Sequence, residues 1–315
     1  MPCSTQNTSD NQTEGLYLLN EPEAKPHDRL GALTISQGDN LAFLERFESA
    51  SFDLIYVDPP FNTGTTQRRT TLRTVADPDG DRTGFQGRRY RSEVQGQTTY
   101  SDRHDDYLAF LEPRLVEMQR LLSEAGALYL HLDSREVHYV KVLCDTIFGR
   151  DAFLNEIIWA YDYGGRSKTR WSPKHDNILW YSADPRSFTY RYEDIDRVPY
   201  MAPKLVGPEK AARGKTPTDT WWHTIVSPTA RERTGYPTQK PLGILERIVR
   251  VHSNPGEEVL DFFAGSGSFG EAALKHSRGA TLIDDNPEAI EVMRERLASF
   301  DPTVHVPPAS RGIKG

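Results

Sequence analysis

Residues 258–270 read EVLDFFAGSGSFG: an apolar run that ends in a carboxylate, turns through glycines and re-enters an amphipathic segment. Gly265, Gly267 and Gly270 fill a G-x-G-x-x-G pattern, and a second apolar run over 280–283 closes on Asp284, nineteen residues after Gly265. Strand, glycine turn, helix and a further strand with an acidic tip form the ligand-binding corner of a doubly wound α/β sheet. Glycines there let a ligand lie against the backbone, and Asp284 can take the ribose hydroxyls of any adenosine cofactor. This corner by itself does not say which adenosine cofactor.

Outward from this corner, short apolar runs alternate with segments of helical period, the pattern of a parallel sheet covered by helices. Strands are expected at 32–36, 53–57, 127–132, 154–159, 177–181, 258–262 and 280–283, and helices at 40–47, 104–123, 135–147, 241–252, 268–276 and 287–297. In the second helix Leu108, Leu111, Leu115, Met118 and Leu122 recur at three- and four-residue spacing and mark a core face. Phe148-Gly149 closes the third with a C-cap signal, and Pro241 is expected in the first turn of the fourth. Residues 62–102 carry many Gly, Thr and Arg without a strong period and read as a long mobile loop. Residues 184–235 are irregular, proline-bearing and aromatic, with Trp221 and Trp222 adjacent, and read as a separate lobe.

The 315 residues suffice for one large core with an appended lobe. With 37% hydrophobic residues and no apolar run near eighteen, neither a membrane span nor a signal peptide is expected, and the protein reads as soluble and cytoplasmic. Cys3 and Cys144 fit neither a disulfide framework nor a zinc site and are expected as free thiols, and the nine histidines show no metal spacing. A net charge of -7 counts against nonspecific coating of nucleic acid. Charge is nevertheless uneven: arginines concentrate between Arg68 and Arg103, and residues 164–174 hold Arg166, Lys168, Arg170 and Lys174 with no acid. Each stretch alone also fits a solvated loop.

The second informative stretch is DLIYVDPPF, residues 53–61. It places Asp58-Pro59-Pro60-Phe61 at the C-terminal end of a buried strand, the edge where open α/β sheets bind ligands. Successive prolines lack N–H donors and hold the chain extended, leaving the Pro59 carbonyl fixed and free to accept. An amine on a heteroaromatic ring is a poor nucleophile because the ring delocalises its lone pair. A carboxylate and a rigid carbonyl, each accepting one N–H, would pyramidalise that nitrogen and stabilise the charge that develops on alkylation. An adjacent aromatic ring can stack on the base. An acidic turn after a strand would give the same tripeptide, but the preceding strand and following ring weigh toward the chemistry. A nicotinamide enzyme has no use for this motif, whereas a methyl donor needs a positioned nucleophile.

Together these stretches resemble the permuted, or beta-class, amino-methylating DNA methyltransferases, in which Asp-Pro-Pro-aromatic precedes Phe-x-Gly-x-Gly. The similarity spans most of the chain, through Gly38-Asp39-Asn40, 53–64, 127–133, Phe148-Gly149, Lys174-His175-Asp176, 236–241 and 261–267. It implies a Rossmann-like S-adenosylmethionine-dependent fold: a circularly permuted, seven-stranded, mostly parallel α/β sheet with an antiparallel last strand and a smaller target-recognition lobe. The expected division is a disordered tail (1–14), a catalytic half (15–183), the recognition lobe (184–235), a cofactor half (236–300) and a second tail (301–315).

The activity implied is transfer of a methyl group from S-adenosyl-L-methionine to the N6 amine of an adenine flipped out of double-stranded DNA. By position, Asp58 and Pro59 would hold the amine, Pro60 and Phe61 would complete the catalytic motif, and Asn62-Thr63-Gly64 would continue the pocket. Asp261, Phe263, Ala264, Gly265, Ser266 and Gly267 would pack against the cofactor beside Asp58. Asp284 would take its ribose, Asp39 would lie near its adenine, and Thr238, Gln239 and Lys240 near its methionine part. Arg68, Arg69, Arg88, Arg89, Arg166, Lys168 and Arg170 would meet DNA. No metal is implied, since a sulfonium is already activated. Double-stranded DNA is the partner, with a cognate restriction endonuclease and a homodimer as further expectations, and the nucleoid the place of the DNA-bound form. Phe61 stands where Tyr is commoner and Tyr236 where His is usual.

Four alternatives stay open: N4-cytosine methylation, a nicotinamide oxidoreductase built on the glycine turn, a DNA-binding protein without activity, and a methyltransferase acting on RNA or protein amides. His131 and Asp133 read as pocket wall or structural hydrogen-bonders rather than an acid–base pair, and His175-Asp176 as a positioning pair. Trp221 and Trp222 read as either core or a DNA-facing wedge.

Overall fold

The computed structural model describes residues 32–60, 65–76, 79, 82–83, 89–102 and 106–306. The expected N-terminal tail, Cys3, Phe61, Asn62-Thr63-Gly64 and Arg88 lie outside the described residues. In chain order the elements are β1 (Leu33–Gln37), α1 (Asn40–Leu44), β2 (Phe52–Val57), β3 (Thr65–Ala76), β4 (Arg82–Thr83), β5 (Arg89–Asp102), α2 (Tyr107–Leu121), β6 (Leu122–Leu132), α3 (Val137–Phe148), β7 (Phe153–Ala160), β8 (His175–Ser182), α4 (Pro208–Arg213), β9 (Thr220–Trp222), α5 (Leu242–His252), β10 (Glu258–Asp261), α6 (Ser268–Lys275), β11 (Gly279–Asp284), α7 (Pro287–Leu297) and β12 (Thr303–His305).

Nine strands form one sheet in the order β12-β1-β11-β10-β2-β6-β8-β7-β9. Every neighbouring pair is parallel except the two made by β8. The expected seven strands are all present, but the antiparallel one, β8, is neither the last of them along the chain nor at the edge of the sheet: it lies between β6 and β7. Short strands β12 and β9 extend the two edges.

Alternate residues of each strand serve two cores. Leu54 and Tyr56 of β2 join Tyr129, Ile178, Ile244, Ile248 and Phe269 on the face covered by α5, α6 and α7. Ile55 and Val57 join Leu111, Leu115, Met118, Val140 and Cys144 on the face covered by α2 and α3. Burial on both faces is why these strands read as continuous apolar runs rather than alternating ones. Cys144 is a buried free thiol. No helix among the described residues is long and apolar enough to cross a membrane.

Three expectations are corrected. Within 62–102, β3 and β5 pair antiparallel from Thr65↔Asp102 to Ala76↔Tyr90, with β4 beside β5, so the segment holds a long hairpin and not a structureless loop. Thr, Val and Tyr favour strands, but a ribbon polar on both sides shows no two-residue hydropathy period. At the C-terminal end, Thr303–His305 pairs with β1 and is not part of a disordered tail. Pro241 caps α5 from an extended conformation (φ -70°, ψ 137°) one residue before the helix rather than inside its first turn.

The 184–235 segment is largely irregular but not detached. Its strand β9 pairs with β7, and Trp221 is buried in the first core. Trp222 is exposed.

Candidate active site

The direction in which successive strands are added to the sheet reverses between β10 and β2. From β10 the chain runs through α6 to β11 on one side, and from β2 it runs through α2 to β6 on the other. Such a switch point leaves a crevice at the strands' C-terminal ends. The two strands are parallel neighbours with Leu260 opposite Ile55, so continuing the register by three residues sets Phe263 level with Asp58. Both motifs therefore open onto one edge, around a cavity of about 660 Å³.

Asp58, Pro59 and Pro60 line one wall. The Asp58 Oδ2 forms an ion pair with the buried Lys240 ammonium, delivered by the turn before α5. Its Oδ1 is buried without a hydrogen-bond partner among the described residues. One oxygen is thus fixed and the other is an unsatisfied acceptor, an expensive arrangement in an interior unless a donor arrives. Beneath it Tyr56 meets His131 Nδ1 at 2.8 Å, His131 Nε2 meets Asp176 Oδ2 at 3.2 Å, and Tyr161 donates to Asp176 Oδ1 at 3.0 Å. An imidazole that accepts from Tyr56 at Nδ1 and donates to Asp176 from Nε2 satisfies this chain. Burial raises the Tyr56 pKa well above its usual value, with Asp58 adding to it, so the phenol keeps its proton. His131 is paired with Asp176 and not with Asp133, whose carboxylate holds Arg135.

The opposite wall is the glycine turn. Gly265 (φ 49°) and Gly267 (φ 71°) take the left-handed conformation. A Cβ on Gly265 would come within 3.2 Å of the Tyr236 ring, and both residues line the cavity. Gly267 does not line it. A Cβ there would lie 2.8 Å from Met293, so Gly267 packs closely against α7. Asp284 Oδ2 accepts from the Gly265 amide at 2.8 Å and Oδ1 from Asn286 at 2.9 Å, which ties the turn to the tip of β11. Burial lifts the Asp284 pKa to about 6. Asp261 is pushed well above the carboxylate range by burial first, with Asp58 and Asp284 adding to it.

Phe263, Ala264 and Ser266 complete this wall, and Thr238, Gln239 and Lys240 reach it from the turn before α5. Thr238 sits at φ 61°, a costly conformation for a β-branched residue that usually marks a functional constraint. The Gln239 amide is committed to its own loop, accepting from Thr234 and donating to the Glu232 carbonyl.

Asp39 lines the cavity as the N-cap of α1 and pairs with Arg114 at 3.3 Å. Arg114, Asn40 and Phe110 are site residues that the sequence reading missed. Arg114 donates to Asn40 Oδ1 at 2.7 Å and lies over the Phe110 ring at 4.1 Å, while Asn40 donates to the Phe262 carbonyl at 2.8 Å. The available signal was a charged residue at the edge of the apolar stripe of α2. Of the expected DNA contacts, Arg166, Lys168 and Arg170 are exposed on the β7–β8 loop, Arg68 is in β3 and Arg69 follows it there, and Arg89 opens β5.

A DNA methylase family model matches residues 52–295. The Type II methyltransferase M.HpaI of Haemophilus parainfluenzae is 30% identical over 81% of this chain and 71% of its own length. The DNA adenine methyltransferase YhdJ of Escherichia coli (strain K12) is 27% identical over 84% of this chain and 83% of its own. Among solved structures, the M1.HpyAVI–SAM complex superposes with a TM-score of 0.53 at 18% identity, covering 84% of this chain and 98% of that one. The cytosine-N4-specific PvuII DNA methyltransferase gives 0.57 at 16% identity, covering 85% and 90%. Those two identities speak for the fold alone. The match over 52–295, with both motifs facing one cavity, makes this chain a member of the DNA methylase family.

Proposed function

We propose that the protein methylates the N6 amine of adenine at a specific site in double-stranded DNA. The observation that carries this reading is the Asp58 carboxylate, held through one oxygen by Lys240 while the other is a buried acceptor without a donor among the described residues, on the wall facing the glycine turn. When bound, S-adenosyl-L-methionine supplies an electrophilic methyl on a sulfonium. Asp58 Oδ1 and the Pro59 carbonyl accept the two amine N–H groups, and the charge developing on nitrogen falls beside a carboxylate that needs no reorganisation. The ribose goes to Asp284, and the missing Cβ of Gly265 lets the Tyr236 ring close against the turn, so the two form one continuous wall for the adenosyl group. Adenine is favoured by aspartate before Pro59 and by the adenine-methylating relative YhdJ. Cytosine N4 is the second reading, since the PvuII enzyme shares the fold.

The target base must leave the duplex to reach Asp58. The 184–235 segment is assigned to sequence reading, and the hairpin of β3 and β5 to closing over DNA. Shortening that hairpin should weaken DNA binding while sparing S-adenosylhomocysteine binding; equal loss of both contradicts the assignment. The Type II relatives favour a cognate restriction endonuclease, and a homodimer is a further proposal. Mass spectrometry of nucleosides from DNA of an expressing host tests the reaction. N6-methyladenine is expected, N4-methylcytosine selects the second reading, and neither base overturns both.

A further inference from the structure

The β7–β8 loop, residues 161–174, contributes Tyr161 at its root to the site's hydrogen-bond chain, while its tip does not line the cavity. It leaves the C-terminal end of β7, which runs parallel to β2, so it stands on the same sheet edge as Asp58. Three strand spacings separate them, about 14 Å along that edge. Its root is tied down: the Tyr161 amide donates to the Lys174 carbonyl at 2.9 Å, and the Tyr161 hydroxyl joins the Asp176–His131–Tyr56 chain that ends in the cavity wall. Its tip is folded on itself. Ser167 Oγ accepts from the amides of Thr169 and Arg170 at 3.2 and 3.3 Å, and Ser172 Oγ accepts from the Ser167 amide at 2.6 Å.

This closed turn presents Trp171, 98% exposed, flanked by Arg166, Lys168 and Arg170. Isolated exposed apolar residues are ordinary on protein surfaces. A tryptophan wholly in water, on a self-closed turn, among cations and on the catalytic edge combines features that a stray residue would not. Cations draw the turn to phosphate, and a flat indole can take the place of a base in a stack. A base swung out by about 180° lies away from the gap it leaves. Wedge and pocket must therefore stand apart on one face, as the root of the Trp171 loop and Asp58 do on this sheet edge.

We propose that Trp171 is the wedge that enters the duplex and fills the gap left when the target base is drawn to Asp58. The proposal rests on the DNA-amine reading above. Trp171 makes no core contact, so Trp171→Ala leaves the fold intact, and Trp171→Phe keeps a ring.

The test is single-turnover methyl transfer to two duplexes bearing the site found by modified-base sequencing. One is fully paired, and the other has an abasic position opposite the target base, which lowers the expense of extrusion. On the paired duplex Trp171→Ala should be slowed roughly 5- to 150-fold, a base–aromatic stack of ~1–3 kcal/mol converted at about 1.4 kcal/mol per tenfold. Trp171→Phe should recover most of the rate. On the abasic duplex Trp171→Ala should come within about threefold of wild type. An unslowed variant, or equal slowing on both duplexes, overturns the wedge while leaving the methyl-transfer reading standing. Wild type inactive on both duplexes overturns the underlying reading first.

Discussion

Replacing Asp284 by asparagine should make the empty protein's stability less dependent on pH and weaken its hold on the cofactor. The carboxylate is sunk at the tip of β11, and burial raises its pKa from 3.8 to about 6 against the pull of the Asn286 and Gly265 amides. With the folded pKa above the unfolded one, the native state binds this proton more tightly. The stability it contributes is therefore complete below the unfolded pKa and lost as pH rises through 6. A gap of about two units at ~1.4 kcal/mol each gives roughly 3 kcal/mol. Asparagine cannot ionise, and the price of offering one oxygen to two amide donors does not vary with pH. The stability difference between variant and wild type, from urea unfolding, should thus move by roughly 2.5 kcal/mol in the variant's favour from about pH 4 to about pH 7, the unfolded carboxylate being already partly ionised at about pH 4. Asp261, which Asp284 helps to raise, adds with the same sign. The variant also loses a charged acceptor for the ribose, so calorimetry near neutral pH should show S-adenosylhomocysteine bound about 1.5–3 kcal/mol more weakly. A difference flat in pH would refute the assignment of a buried, late-ionising carboxylate, and unchanged affinity would remove Asp284 from the ribose.

Lys240→Met leaves a nearly buried carboxylate unpaired and should cost about 3 kcal/mol, whereas adding Asp58→Asn should restore part of it; chemical unfolding of the two singles and the double gives the coupling, and strict additivity contradicts the pair. Gly267→Ala forces a left-handed alanine against Met293 and should cost about 2 kcal/mol or more in a thermal melt, and a neutral result means the turn is not packed as described. Trp221→Ala should cost ~3–5 kcal/mol and Trp222→Ala under ~0.5 kcal/mol, since the first is core and the second exposed; equal losses would contradict that division.

The sheet was legible because strands buried on both faces are apolar throughout, and because each chemical motif sits where such a run stops, as Val57 passes to Asp58 and Leu260 to Asp261. What stayed hidden depended on tertiary pairing. The Thr- and Arg-bearing strands of the hairpin carry no hydropathy period, and Thr303–His305 is a strand only because β1 offers it an edge. Of two adjacent tryptophans, one is core because β9 docks on β7 and alternation points its neighbour outward. The site shows the same limit. Asp58 and Asp284 could be named from strand tips, but the Lys240–Asp58 pair, the Arg114–Asn40 brace and the His131–Asp176 link join residues distant in sequence. The glycine pattern likewise does not distinguish a residue that lines the cavity, Gly265, from one packed against a helix, Gly267.

The most direct measurement is transfer of radiolabelled methyl from S-adenosyl-L-methionine to duplex DNA by Asp58→Ala and Asp58→Asn, with S-adenosylhomocysteine binding measured on the same preparations. Transfer should fall by at least ~10²-fold in both, as for loss of a group placed where charge develops, with cofactor affinity changed by less than about threefold. Transfer near the wild-type rate in either variant, or loss of cofactor binding in step with activity, would mean that Asp58 does not hold the amine.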